Sequence, residues 1–131
     1  MKNNKAQSAV EFIMILSFII FSLTILSVII NEKISNNVRE RDNQLLKITV
    51  LSIQDEISLA SKASDGYLRS FRIPLDINGK DYKINITDGM IYARTLDGKN
   101  AIAIPVINIT GDVKKGDNAI KKQGGLVYLN R

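Results

Sequence analysis

A single carboxylate, Glu11, stands at the threshold of a long apolar stretch and offers the most distinctive chemistry in the chain. The stretch from Phe12 to Ile30 has 19 residues without a charge, a glycine or a proline. A carboxylate at the centre of a membrane-spanning helix costs about 2.5 to 3.5 kcal/mol, so a retained one is a candidate functional group. The chemistry is charge pairing, and the partner cation has to come from outside the apolar segment.

Catalytic chemistry has little support in the composition. The 131 residues include no His and no Cys, which removes the commonest general base, the thiol nucleophile and most zinc ligand sets. Carboxylates such as Asp88 and Asp97 stand in turn sequences, where Asp bonds its own backbone. Asp112 and Asp117 flank Gly116 without the ligand spacing of a calcium loop. We therefore expect no catalytic residue, no metal site, no cofactor and no enzymatic activity.

The apolar stretch has the length of a transmembrane helix. A hydrocarbon core of roughly 30 Å needs about 20 residues, whereas the core of a secretory signal has only about 7 to 15. Lys2 and Lys5 precede the stretch, while Lys33, Arg39 and Arg41 follow it. The basic leader predicts a cytoplasmic N-terminus, with the C-terminal half of the chain outside the cell.

The residues around Glu11 form a recognisable pattern. After the basic leader, residues 6–12 read Ala-Gln-Ser-Ala-Val-Glu-Phe. This start resembles the class III signal peptide of archaeal type IV pilin-like proteins, and it is similar to the Glu-Phe start of tight-adherence pilins and pseudopilins. The resemblance covers about 25 of the 131 residues and implies that a prepilin peptidase cuts between Ala6 and Gln7. Ala6 departs from the family pattern, in which Gly is common, but it is also small.

The resemblance implies a structural subunit of a type IV pilus-like surface filament, either a pilin or a minor pilin. Such a subunit lies in the cell membrane and then self-associates through its apolar helix, served by the prepilin peptidase and a pilus assembly platform. The pattern leaves open major, minor and pseudopilin subunits, and also adhesion, DNA uptake and secretion as roles. The alternative is a monomeric, signal-anchored, single-pass surface protein that displays a β-sheet binding module.

A cut after Ala6 would give Glu11 a partner. It would free an α-amino group on Gln7, with an ordinary pKa of about 7.7 to 8.0. An unpaired carboxylate in a filament core would be penalised, so pairing with a neighbouring subunit would fix the axial offset between the two. An N-terminal Gln can also cyclise to a neutral lactam, which would leave Glu11 needing another donor. The simpler alternative is that Glu11 lies in the headgroup region of an ordinary signal anchor.

The helix is predicted to continue beyond the membrane. No Gly or Pro occurs before Gly66, so nothing in the first 65 residues forces a break. A helix from about Ala9 to Ser64 would be roughly 80 Å long. Apolar residues form one stripe on its second half: Leu46, Val50, Ile53, Ile57 and Ala60. The partner of this stripe is either the C-terminal domain of the same chain or a coiled-coil seam, for which two heptads are too few.

The pattern changes at Ser64-Asp65-Gly66, where we place the end of the helix. Short alternating segments then predict an antiparallel sheet that packs on the helix stripe, and they leave no room for the crossover helices of a parallel sheet. The predicted strands are Tyr67 to Ile73, Asp81 to Thr87, Met90 to Thr95, Ala101 to Ile107 and Leu126 to Leu129. The predicted hairpin turns are Asn78-Gly79, Asp88-Gly89 and Asp97-Gly98. The polar segment from Gly111 to Gly125 is predicted to be an exposed loop.

The predicted fold class is therefore α+β, with a long N-terminal α-helix followed by a small C-terminal antiparallel β-sheet domain. It comprises four parts: a leader (1–6), a transmembrane and assembly helix (7–31), an amphipathic helix extension (32–65) and an extracellular β domain (66–131). This division predicts a protein of the cell membrane that later lies at the cell surface.

Two further patterns concern the C-terminal region. Asn85 and Asn108 each begin an Asn-Ile-Thr triplet, the acceptor pattern for N-glycans, and both are predicted to face solvent or to lie at a strand end. Basic residues cluster in the predicted loop: Lys114, Lys115, Lys121 and Lys122. No aromatic residue stands among these lysines, so they give little support to nucleic-acid binding, which stays open. A solvated loop is the simpler interpretation.

Overall fold

The computed structural model describes the backbone of residues 2–131 and the side chains of residues 6–131. In this part of the chain one long helix precedes seven strands, which confirms the predicted α+β class. The elements are α1 (Lys2–Lys62), β1 (Leu68–Ile73), β2 (Tyr82–Thr87), β3 (Met90–Thr95), β4 (Ala101–Pro105), β5 (Thr110–Gly111), β6 (Gly116–Gln123) and β7 (Leu126–Leu129).

The chain divides into two compact units, Met1–Val38 and Arg39–Arg131. The described part of the first unit is helix alone, whereas the second unit contains the rest of α1 and all seven strands. Helix α1 ends at Lys62, close to the predicted end, and Gly66 follows with a φ of 91°. Such a positive φ is common just after a helix, where glycine adopts it without steric cost.

The strands of the second unit form two sheets rather than the predicted one. β2, β3 and β4 form an antiparallel meander, and the other sheet has the order β1-β6-β7-β5. β5 runs parallel to β7 over two residues, in contrast to the purely antiparallel prediction. At Gly111 a Cβ atom would lie 2.0 Å from the carbonyl oxygen of Leu129, so only glycine permits this close pairing. Thr110-Gly111 has no apolar alternation that the sequence could reveal.

The prediction that residues 111–125 form an exposed loop was wrong, because β6 occupies Gly116–Gln123 and pairs with both β1 and β7. Its inward positions are Gly116, Asn118 and Ile120, all buried. Only Ile120 is apolar, so the usual alternation of a half-buried strand is missing. The Asn118 side chain replaces apolar packing with hydrogen bonds, accepting from Lys114 N and donating to the carbonyl oxygens of Lys114 and Gly116.

The predicted turns differ in their geometry. Asn78-Gly79 and Asp88-Gly89 have positive φ at both residues, as a two-residue type I′ turn requires. Asp88-Gly89 joins β2 to β3, as predicted. Asn78-Gly79 instead closes an isolated bridge between Ile77 and Lys80.

The core of the second unit is built on the predicted helix stripe. Its five residues are between 0% and 1% exposed: Leu46, Val50, Ile53, Ile57 and Ala60. They belong to one cluster with inward residues from both sheets, including Ile91 of the three-stranded sheet and Ile120 and Leu129 of the four-stranded sheet. The prediction that the stripe packs on the C-terminal strands is therefore confirmed.

The buried carboxylate of Asp42 links α1 to the turn between Ile77 and Lys80 through hydrogen bonds. The Asp42 side chain is fully buried on the helix and accepts hydrogen bonds from Lys80 Nζ at 2.6 Å and from Asn78 Nδ2 at 2.9 Å. Lys80 Nζ also lies 3.6 Å from Asp97. The hydrogen bonds from Lys80 and Asn78 hold the pKa of Asp42 below its ordinary value of 3.8, against the effect of burial.

This pKa predicts how the variant Asp42→Asn alters the pH dependence of stability. A lowered folded-state pKa gives stability that is present above the unfolded pKa and is lost as pH falls through the folded pKa. At about pH 7 we expect Asp42→Asn to lower the free energy of unfolding by about 1.5 to 3 kcal/mol, because hydrogen bonds to a charged group are lost. Below pH 3.8 the difference from the natural chain should shrink.

Urea unfolding of the full chain in detergent, followed by circular dichroism at several pH values, measures this difference. Asp88→Asn is the matched control, because it removes a carboxylate from an exposed turn. The control should change the free energy of unfolding at about pH 7 by no more than about 0.5 kcal/mol. A constant difference between Asp42→Asn and the natural chain at every pH would show that Asp42 does not act through its charge.

Candidate functional site

The predicted assembly residue Glu11 lies on the exposed surface of α1. Gln7, one helical turn earlier, donates a hydrogen bond from Nε2 to Glu11 Oε1 at 3.1 Å. The predicted processing residues Ala6 and Gln7 lie in the first turns of the same helix. The structure therefore brings Gln7 and Glu11 together within one chain. The leader side chains Lys2 and Lys5 lie outside the described side chains.

The Met1–Val38 unit contains a candidate membrane span. In the described residues one helix is long and apolar enough to cross a bilayer, with an 18-residue window of mean hydropathy 2.9 that is 0% buried. An apolar signal sequence near the N-terminus has a similar composition. The side chains Phe12, Phe18 and Phe21 are more than 60% exposed, so this surface needs an apolar environment. The Thr24 hydroxyl donates a hydrogen bond to the carbonyl oxygen of Ile20 at 2.8 Å. This bond satisfies the hydroxyl group within the helix and lowers the cost of placing it in an apolar environment.

A second apolar surface, which we term the outer helix stripe, lies on α1 within the Arg39–Arg131 unit. It consists of Ile48, Leu51 and Leu59, which are 63%, 36% and 49% exposed, and the exposed carboxylate of Asp55 lies on the same side of the helix. With 3.6 residues per turn, these positions fall on the helix side opposite the buried stripe that begins at Leu46. This surface was not predicted, because the stronger stripe dominates the apolar pattern of the helix. Apolar residues at the spacing i, i+3 and i+11 were the available signal.

The two predicted glycan acceptors are both exposed. Asn85 lies on β2, and its Nδ2 donates to the hydroxyl of Thr87, the third residue of its triplet, at 3.0 Å. Asn108 lies between the end of β4 and the start of β5. Both acceptors belong to the Arg39–Arg131 unit.

The four lysines of the predicted basic loop do not lie in one loop, because Lys121 and Lys122 belong to β6 and Lys114 and Lys115 precede it. Lys115 Nζ bonds the carboxylate of Asp81, and this bond lowers the pKa of Asp81. Lys121 Nζ lies 5.5 Å from the ring centre of Tyr128, a cation–π distance. Lys114 is exposed. The side chains of Lys115 and Lys121 therefore face different partners.

Lys122 has a structural role that the sequence did not reveal. Its Nζ donates to the carbonyl oxygens of Ser61 at 2.7 Å and Ala63 at 2.8 Å, at the C-terminus of α1. The last carbonyls of a helix have no intrahelical partner and carry partial negative charge, so an ammonium group satisfies both needs. The backbone of Lys122 also bonds Gly66 and Tyr67, which joins the helix end to β6.

The described residues contain no group of three or more His, Cys, Asp or Glu side chains that is arranged to hold a metal ion. The cluster of Asp42, Lys80 and Asp97 is an ion-pair network in which Lys80 supplies the cation.

Comparisons with protein-family models, with curated proteins and with solved structures find no match for this chain.

The role of Lys122 predicts the effect of Lys122→Met. Methionine keeps the apolar stem but leaves the carbonyls of Ser61 and Ala63 without their charged donor. We expect the free energy of unfolding to fall by about 1 to 3 kcal/mol. Lys114→Met removes one charge from an exposed position and should change it by no more than about 0.5 kcal/mol. Urea unfolding measures the free energy of unfolding of both variants. If it falls equally in Lys122→Met and Lys114→Met, Lys122 does not cap the helix.

Proposed function

We propose that this chain is a structural subunit of a type IV pilus-like surface filament, a pilin or minor pilin that assembles through its N-terminal helix. The observation that carries the proposal is the outer helix stripe. Phe12–Ile30 alone has the length that a bilayer requires. Ile48 and Leu59 nevertheless expose apolar surface in the unit that contains the strands. A bundle of helices from neighbouring chains would bury this surface together with Phe12–Ile30, whereas a monomeric membrane anchor would leave it in water.

Glu11 sets the register between subunits in this proposal. Cleavage between Ala6 and Gln7 frees an α-amino group on the residue whose side chain already bonds Glu11. An ionised carboxylate has about four acceptor sites, so one amide hydrogen bond leaves capacity for an ammonium group of a neighbouring chain. In a low-dielectric bundle, an offset that leaves Glu11 without a cation is penalised.

The proposal also assigns location and partners. The subunit lies in the membrane with its N-terminus in the cytoplasm until a prepilin peptidase and an assembly platform process and assemble it. The 66–131 region then lies outside the cell, where Asn85 and Asn108 are accessible to N-glycosylation. Adhesion is one role of such a displayed surface.

The proposed function predicts the N-terminal residue of the processed protein. Protein from sheared surface material should begin at Gln7, as a free or a cyclised residue, whereas unprocessed protein begins at Met1. Mass spectrometry of the N-terminal peptide from membranes and from sheared material distinguishes these forms. A free Gln7 would support pairing of its α-amino group with Glu11. A cyclised Gln7 would refute that pairing but would still show that the peptidase cuts after Ala6. A chain that begins at Met1 in all fractions would favour the monomeric surface protein.

The second prediction concerns incorporation into filaments. Glu11→Ala should enter the membrane as well as the natural chain, since it removes a charge, but should be nearly absent from sheared filaments. Ile48→Ser should reduce incorporation about ten-fold or more, because burial of an Ile side chain contributes about 1.5 to 3 kcal/mol. For each variant, quantitative immunoblots measure the ratio of protein in the sheared fraction to protein in the membrane fraction.

Matched controls separate assembly from folding. Glu32→Ala removes an exposed carboxylate elsewhere on α1, and Leu75→Ser removes a side chain that is 58% exposed outside the helix. Both controls should incorporate at natural levels. Normal incorporation of Glu11→Ala would refute the register role, and normal incorporation of Ile48→Ser would refute burial of the outer helix stripe.

A further inference from the structure

The outward face of the three-stranded sheet contains an open hollow of about 570 Å³. We term it the outer-sheet hollow and define it by six residues: Lys83, Asn85, Tyr92, Arg94, Ala101 and Ala103. All six are exposed, on the side of β2, β3 and β4 that faces away from the core. Its volume lies within the range of small-ligand sites, roughly 300 to 1,000 Å³.

The register of the sheet arranges these side chains in two rows. Lys83 lies directly opposite Arg94, which in turn faces Ala101. The second row consists of Asn85, Tyr92 and Ala103. Two like charges directly opposite each other on neighbouring strands destabilise a sheet. None of the described residues that line the hollow is acidic, so an anion from outside would remove this cost.

Tyr92 and the two alanines give the hollow its shape. The Tyr92 side chain is 41% exposed, and its hydroxyl donates to Met90 Sδ at 3.5 Å, which restrains the ring. The side chains of Ala101 and Ala103 are short, so they leave the space beside the Tyr92 ring unfilled and form the floor of the hollow. A ring-shaped ligand can therefore lie on this floor next to Tyr92, with Arg94 and Lys83 within the same hollow for its charge.

We propose that the outer-sheet hollow binds a carboxylate-bearing sugar unit of an acidic polysaccharide. Arg94 binds the carboxylate in the paired geometry typical of guanidinium, Lys83 adds charge, and the Asn85 amide bonds hydroxyl groups. The sugar ring lies against Tyr92. This proposal does not depend on filament assembly, because it uses only residues of one chain.

Charge density argues against nucleic acid as the occupant. Duplex DNA carries one charge per about 1.7 Å of axis, and strong binding neutralises several phosphates along a basic track. The hollow offers two cations in one row, which matches one carboxylate on one sugar unit. An extended acidic peptide would meet the same two cations, but it would gain main-chain hydrogen bonds only at a strand edge, and the face of a sheet does not offer them.

Titration calorimetry tests the proposal with the full chain in detergent, produced in a bacterial host without N-glycosylation. The host matters because a glycan on Asn85 would occupy the same hollow. The probes are tetragalacturonate, its uncharged methyl ester and single-stranded oligothymidylate, at about 50 mM salt, where surface charges are only partly screened. We expect tetragalacturonate to bind with a Kd below about 1 mM, and the methyl ester to bind at least ten-fold more weakly.

Arg94→Gln should weaken tetragalacturonate binding about ten-fold or more, and Tyr92→Ala should weaken it as well. Arg72→Gln is the matched control, because it removes an exposed guanidinium from β1 and should leave binding unchanged. Circular dichroism confirms that each variant is folded, and Lys83→Gln replaces Arg94→Gln if the latter is not. No binding of tetragalacturonate, equal binding of its methyl ester, tighter binding of oligothymidylate or equal losses in Arg94→Gln and Arg72→Gln would each overturn the proposal.

Discussion

Burial of one stripe of α1 is the constraint on which the Arg39–Arg131 unit depends. The 66 residues from Gly66 to Arg131 form two small sheets, and a chain segment of this length buries only a marginal core by itself. The stripe that begins at Leu46 supplies apolar surface to both sheets at once. Loss of the helix would therefore leave each sheet with an uncovered apolar face.

Charged contacts hold this helix segment at three points along its length. Asp42 binds Lys80 near its start, Glu56 lies 3.2 Å from Arg69 in its second half, and Lys122 bonds its last carbonyls. Apolar packing alone tolerates small rotations and sliding of a helix, whereas the charged hydrogen bonds of Asp42 and Lys122 require particular distances and directions. The contact of Glu56 with Arg69 is an ion pair, and the Glu56 Oε2 atom accepts no hydrogen bond. Together the three contacts fix which side of α1 faces the sheets, and hence which side exposes Ile48 and Leu59.

The parts of the fold that follow from periodicity were predictable, and the parts that depend on polar contacts were not. The absence of Gly and Pro before Gly66 predicted the continuous helix, and regular alternation predicted β2 and β3 almost to the residue. β6 escaped prediction because Asn118 takes an inward position by bonding the backbone. The Gln7–Glu11 contact follows from i, i+4 spacing, but its bearing on assembly requires a second chain. The outer-sheet hollow also required the register of β3 with β4, which the sequence alone does not give.

The two proposed surfaces of the Arg39–Arg131 unit do not compete. The core lies between α1 and the sheets, so Ile48 and Arg94 lie on opposite sides of it. In the proposed filament, the contact that buries the outer helix stripe would therefore not cover the outer-sheet hollow. A site with two cations would bind one sugar unit weakly, but many such sites along the proposed filament would engage one polysaccharide together. The gain then comes from effective concentration rather than from new contacts, and avidity can exceed the single-site affinity by about 10² to 10⁴.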